Sequence, residues 1–390
     1  MKRKDVILMY AFCLYIIFAT DSLVVGLNLI PALQDLSYII IMIAGVALFG
    51  LLLMRGGGTI QGNGIKGLVG CSAFVIISTI VNFDLTPVGF IKIGCLIIGF
   101  YIANKLDTSL FIKAYVHIML FISAFSLVIY FFSDFFVGLD IFPVYEGYKG
   151  QVFQLFGFSN LRISALGYRN WGPFWEPGVY QTYLLIAIIF LMFDNVGIKR
   201  KNTALVLLLV TLATTFSTTG FIAAPFIILA YILHKPGTKR KTWIKIAILV
   251  LVVGFFTWFL NSDLFLKVFS DKFENLDETG RNLTVEYGLK LWIKKPLFGY
   301  ASAYKDVAIA LFGENFGFTN TFIAHLVAFG TFVGAFFVYG IFMFANTYQT
   351  KLWVRLLIAI GLIISLSGES YIYSPMICFL LFYRNKAVTP

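Results

Sequence analysis

The sequence predicts an all-α, polytopic integral membrane protein with about twelve transmembrane helices and two long outer loops. Three observations predict it. Of the 390 residues, 59% are hydrophobic and 13% charged, with a mean hydropathy of +0.88, whereas a soluble domain carries about 25% charge. Apolar runs near the roughly 20 residues that cross about 30 Å of hydrocarbon recur along the chain. They are too long, and alternate too little, for a barrel. Lys and Arg gather at alternate breaks between these runs.

Taken in order, the start MKRKD and the apolar run behind it read as a retained first span at 6–24, followed by a second at 36–54. The stretch RGGGTIQGNGIKG (55–67) lacks the Gly-Lys-Ser/Thr of a phosphate loop and reads as a cytoplasmic turn. Spans follow at 67–83, 88–104 and 109–133. Lys92 and Lys113 are expected to snorkel from near span ends. After a long loop at 134–176, Pro177 opens a span at 177–195, a position where its missing N–H has no partner anyway. The short runs 203–217 and 219–234 suggest a hairpin with its tip near Ser217–Gly220, below the outer surface. A span at 243–260 leads into the second long loop, 261–318, where 283–292 fits a surface helix ended by Pro296 and Gly299. The remaining spans are 319–345, 352–367 and 371–383. The whole chain, 1–390, reads as one transmembrane domain.

Orientation follows from charge. With the N-terminus inside, 18 of the 30 Lys and Arg residues fall in cytoplasmic segments, among them Lys2–Lys4, Lys199–Lys201, Lys235–Lys245 and Arg384–Lys386. Both termini then face the cytoplasm and both long loops face outward. Such loops tend to carry function. The net charge of +11 has the same origin. No basic run is interleaved with aromatics in a soluble segment, so nucleic acid is not an expected partner. Cys13, Cys71, Cys95 and Cys378 lie in apolar runs without a CxxC pair, and read as small apolar residues. There is no HExxH, no GxSxG and no cluster of metal-ligand spacing, so neither a metal nor another cofactor is expected.

Chemistry-bearing residues concentrate at the loops. The first ends in LRISALGYRNWGPFWEPGVY, with Arg162, Arg169 and Glu176 at seven-residue intervals. Glu176 reads either as a helix-start carboxylate favoured by the helix dipole, amid interfacial aromatics Trp171, Phe174, Trp175 and Tyr180, or as part of a site. Arg281, after Gly280, reads as a solvated charge or as a planar fork for phosphate oxygens. Asn320 opens the span at 319–345. His325 is a hydrogen-bonding packing residue or an intramembrane functional group, and Gly330 and Gly334 suggest close helix packing.

Three segments resemble the O-antigen and capsular polysaccharide polymerase–ligase superfamily, which includes Wzy-type polymerases and O-antigen ligases. Arg169 with GPFWEPGVY is similar to the family's Arg-Gly-Phe-Glu-Pro-Gly signature, STTG (217–220) to its Ser-x-Thr-Gly turn, and Gly280-Arg281, PLFGY (296–300), Thr319-Asn320 and Gly330 to its later motifs. Many members, ligases especially, carry a His before that Asn. Here Phe318 and Thr319 stand there, and His325 lies about two turns deeper. The resemblance implies glycosyl transfer on the outer face of the bacterial inner membrane. The donor would be a glycan on undecaprenyl diphosphate and the acceptor a lipid-linked repeat unit, with a chain-length regulator as a further partner. It implies catalytic roles for Glu176 as base and for Arg169 and Arg281 at the diphosphate, and substrate contacts from Arg162, Asn320, Tyr180 and His325. Polymerase is the favoured activity. A ligase of the same superfamily and a lipid-linked oligosaccharide flippase are the alternatives.

Overall fold

The computed structural model describes residues 3–21, 45–51, 62–84, 86–139, 144–147, 150–155, 158–163, 167–194, 196–234, 280–313, 318–348 and 351–384. The expected span at 243–260, most of that at 36–54, and the basic cluster Lys235–Lys245 lie outside these residues. The chain divides into two compact units, Met1–Gly57 with Leu106–Ala224, and Gly58–Lys105 with Pro225–Pro390.

In the first unit the helices include α1 (Arg3–Asp21), then α4 (Thr108–Phe131) with the short α5 (Ser133–Gly138), α6 (Pro177–Phe193) and α7 (Lys201–Thr214). Two others, α2 (Gly62–Val81) and α3 (Val88–Asn104), belong to the second unit. Asp107 caps α4 by accepting from the Leu110 amide, which meets one of the orphan donors of a helix start. The all-α expectation omitted one feature. Residues of the first long loop form an antiparallel meander, β1 (Val144–Gly147), β2 (Gly150–Leu155), β3 (Phe158–Ile163) and β4 (Gly167–Gly172), in the order β1-β2-β3-β4. The β3–β4 register shifts at Ser159/Asn160, so β4 carries an extra residue there. The sheet is tied to α5, because Asn160 Nδ2 donates to Ser133 Oγ at 3.0 Å and the Tyr168 hydroxyl to Asp134 at 3.0 Å.

The core of the first unit is centred on α6, where every residue from Pro177 to Met192 is buried. A helix apolar on all sides belongs inside a protein or a bilayer. Phe174 and Tyr180 are fully buried, with Phe174 packed 5.2 Å from Tyr180 and 4.7 Å from Tyr183 between ring centroids. Trp171 is buried as well. These three are core residues, a correction to their reading as interfacial aromatics. The turn to α6 folds them inward.

The second unit comprises α2, α3, the part of α8 (Thr218–His234) beyond Ala224, α9 (Gly280–Lys294), α10 (Tyr304–Phe312), α11 (Thr321–Asn346), α12 (Leu352–Leu366) and α13 (Pro375–Phe382). α3 reproduces its expected span, and α9 contains the expected surface helix. Packing of α3 on α13 is close enough that a Cβ on Gly99 would strike the backbone of Cys378 and Phe379. Among the described residues α2, α4 and α11 are long and apolar enough to cross a membrane. The protein is membrane-embedded.

One element departs from a regular helix. α11 is broken at Gly330, whose φ is +81° and ψ −178°, a region essentially confined to glycine. In an unbroken helix the Thr331 amide would donate to the Val327 carbonyl. Instead Thr331 N donates to Pro296 O at 2.8 Å, and Val327 O accepts from Tyr300 N at 2.9 Å. The segment Pro296–Tyr300 has thus replaced the helix's own bond across the break. Gly299, at φ +64°, lies against the Val327 and Ala328 carbonyls, where a side chain would not fit. Asn82 Nδ2 secures this segment by donating to Gly299 O at 3.1 Å.

Candidate functional site

Each unit gathers part of the expected site. In the first, three stretches converge: the end of β4, the start of α6 and the α7–α8 turn. Arg169, half-buried on β4, donates from Nε to Thr215 O at 3.2 Å and from Nη2 to Phe216 O at 3.0 Å. Phe216 has φ +46°, so the turn needs such an anchor. Beside Arg169, Asn170 donates to Thr214 Oγ1 at 3.1 Å and Ser126 Oγ at 3.2 Å, and accepts from the Gly172 amide. The turn's Ser217 and Thr219 hydroxyls lie 3.2 Å apart, and Gln181 of α6 donates to Thr219 Oγ1 at 3.3 Å. Gly220 packs against the Gln181 side chain.

Glu176 precedes Pro177 at the start of α6. Its backbone is extended, its carbonyl accepts from Val179 and Tyr180, and its carboxylate makes no capping bond. The side chain is half-buried. Tyr180, an expected substrate contact, is fully buried with its hydroxyl 2.9 Å from Ser126 Oγ. Arg162 lies on β3 opposite Tyr168.

In the second unit, Asn320 caps α11 by accepting from the Phe322 and Ile323 amides at 3.0 and 3.2 Å. Thr321 beside it donates to Glu369 O at 2.7 Å and accepts from the Tyr371 amide at 3.0 Å. This pins the α12–α13 connection to the start of α11. His325 is fully buried. Its Nδ1 lies 2.6 Å from Thr321 O, so that nitrogen carries the proton and Nε2 is an acceptor. The donor it meets is Lys92 Nζ at 2.8 Å.

Lys92 corrects the snorkelling expectation. It is completely buried on α3 and also donates to Ile372 O at 2.7 Å, with the Phe337 ring 4.2 Å away. Four residues into α3, on the face toward α11 and α13, its stem points into the unit and not toward a span end. Lys113, by contrast, is exposed. Sequence reasoning passed over Lys92 because its partners come from segments more than 230 residues away. Arg281 is the second residue of α9. Among the described residues no group of His, Cys, Asp and Glu is arranged to hold a metal ion.

Residues 203–338 match the family model described as O-antigen ligase. Over these residues the chain is similar to the O-antigen polymerase–ligase superfamily. Comparison with curated proteins and with solved structures gives no match. Superfamily members are membrane glycosyl-transferring enzymes acting on lipid-linked oligosaccharides. The matched superfamily region contains the Ser217–Gly220 turn, Arg281, Pro296–Tyr300, Asn320, His325 and Gly330. Arg169 and Glu176 precede it. Several motif residues therefore have a visible structural role. Arg169 anchors the turn, Asn320 caps α11, and Pro296–Tyr300 with Gly330 forms the helix break.

Proposed function

We propose that this protein polymerises polysaccharide, joining undecaprenyl diphosphate-linked repeat units on the outer face of the bacterial inner membrane. The observation that supports polymerase over ligase is the start of α11. Phe318 and Thr319 stand before the capping Asn320, where ligases of the superfamily commonly carry a His. His325 is no substitute, because it is buried with one ring nitrogen bonded to Thr321 O and the other to Lys92. The base then falls to a carboxylate, and Glu176 is half-buried and not committed to its helix cap.

In this reading the acceptor hydroxyl passes its proton to Glu176 as its oxygen attacks the anomeric carbon of the donor sugar. The bond from that carbon to the diphosphate breaks, and the electron pair leaves with the lipid diphosphate. The charge that develops there calls for a cation making paired bonds to phosphate oxygens, the role that the family resemblance gives to Arg281. Arg169 contributes by fixing the turn that carries Ser217 and Thr219. The proton on Glu176 returns to solvent.

The matched family model favours a second reading, an O-antigen ligase. The glycan ladder of a strain lacking this protein separates the two. Single lipid-linked repeats support polymerase. Long chains left on the carrier lipid support ligase and overturn the first reading.

A further inference from the structure

Three stripes run along α9. Thr284, Gly288 and Leu291 are buried on the side facing α11, where a Cβ on Gly288 would strike Ile323. Val285, Leu289 and Ile293, four residues apart and so on one face, are exposed, Ile293 at 67%. Glu286, Lys290 and Lys294 form the adjacent exposed stripe, with Lys290 paired to Glu286. Leu297, 64% exposed, extends the apolar stripe past the helix end.

This apolar stripe does not stop at α9. Lys295 Nζ donates to Asn82 Oδ1 at 2.8 Å, which places the end of α9 beside the end of α2. There Ile80, Val81 and Phe83 are exposed, Phe83 at 90%. α2 is one of the helices able to cross a membrane, so its exposed apolar face is where hydrocarbon belongs. The α9 stripe joins that face at its end. Phe83 also has φ +51°, a conformation that costs a bulky residue about 1–3 kcal/mol. Water gives an exposed ring nothing in return, whereas the headgroup region does.

We propose that α9 lies in the plane of the membrane at headgroup level and that its partner is a phospholipid surface. Val285, Leu289, Ile293 and Leu297 sit at the acyl boundary with Phe83, and Lys290 and Lys294 extend along that surface toward lipid phosphates. An apolar stripe flanked by lysines is the pattern of helices that lie in this region. The continuity with α2 favours lipid over a protein partner. The inference holds whether the enzyme polymerises or ligates.

The test uses the full chain in phosphatidylethanolamine–phosphatidylglycerol nanodiscs, spin-labelled at single introduced cysteines: Val285→Cys, Leu289→Cys, Ile293→Cys, Glu286→Cys and Lys290→Cys. The native cysteines are buried. Collision with oxygen should exceed collision with a water-soluble nickel chelate at 285, 289 and 293, giving a depth of about 5–10 Å below the phosphates. Positions 286 and 290 should favour nickel. Nickel-favouring signals at all five positions would overturn the proposal in favour of a solvated helix. Protection from both reagents at 285, 289 and 293 would overturn it in favour of a covering protein, whether a second copy or another chain.

Discussion

Glu176 is half-buried ahead of α6, whereas His325 is sealed inside the second unit, so only Glu176 can exchange a proton with solution without rearrangement. Replacing Glu176 by Gln keeps its shape and removes its basicity. Polymer should fall at least about a hundredfold, the scale of a general base, while inserted protein, measured by blot, stays constant. Near-normal polymer would return Glu176 to the role of a helix-start residue. The Lys92–His325 pair predicts an asymmetry in stability instead. Lys92→Met leaves an apolar chain and two neutral acceptors, His325 Nε2 and Ile372 O, without that donor. His325→Leu leaves the Lys92 amino group short of an acceptor, which costs about 1–3 kcal/mol and more for a charged group. Thermal unfolding in detergent should therefore show His325→Leu below Lys92→Met in midpoint, and the reverse order would refute this account. A buried lysine of this kind is hard to read from sequence, since Lys92 looks like any lysine four residues into an apolar run.

At the scale of elements, a carboxylate joins Asn82 in holding the α2–α3 connection to the segment before α10. Asp84 accepts from the Ser302 amide at 2.8 Å and from the Thr86 amide and hydroxyl at 2.9 and 2.6 Å. Burial alone would raise its pKa, but the hydrogen bonds from Thr86 and Ser302 outweigh that and hold the carboxyl below its ordinary value. A lowered folded-state pKa means that the tie is fully present above the unfolded value, about 4. It is lost as pH falls through the lower folded value. Exchange protection of the Ser302 amide, corrected for its intrinsic rate, should be constant near neutrality and fade below about pH 4. Asp84→Asn should abolish that pH dependence, and a wild-type profile flat into acid would contradict it. Helices such as α3 were legible because hydropathy is local. The meander was not, because its strands have four to six residues, alternate weakly and gain stability only from pairing. The fit of Pro296–Tyr300 into α11 was invisible for a similar reason. The sequence marks Pro296 and Gly299 as breakers and Gly330 as a packing glycine but does not say that they meet.

For the whole molecule, the Lys and Arg count predicts that both long loops face outward. Cysteines introduced at Gly150 and Gly280 should react with a membrane-impermeant thiol reagent in intact spheroplasts, and labelling only after lysis would reverse the orientation. The break in α11 bears on how such a chain is made. A helix entering lipid alone cannot leave the Val327 carbonyl and Thr331 amide unpaired, since each bare backbone group costs several kcal/mol there. Pro296–Tyr300, which precedes α11 in the chain, supplies both partners in the folded unit. An α11 that entered lipid without Pro296–Tyr300 would satisfy both groups only as a continuous helix, with Gly330 helical and the Thr331 amide bonded to Val327. Its bend would then come from a later exchange, in which one helical hydrogen bond gives way to two from the docked segment.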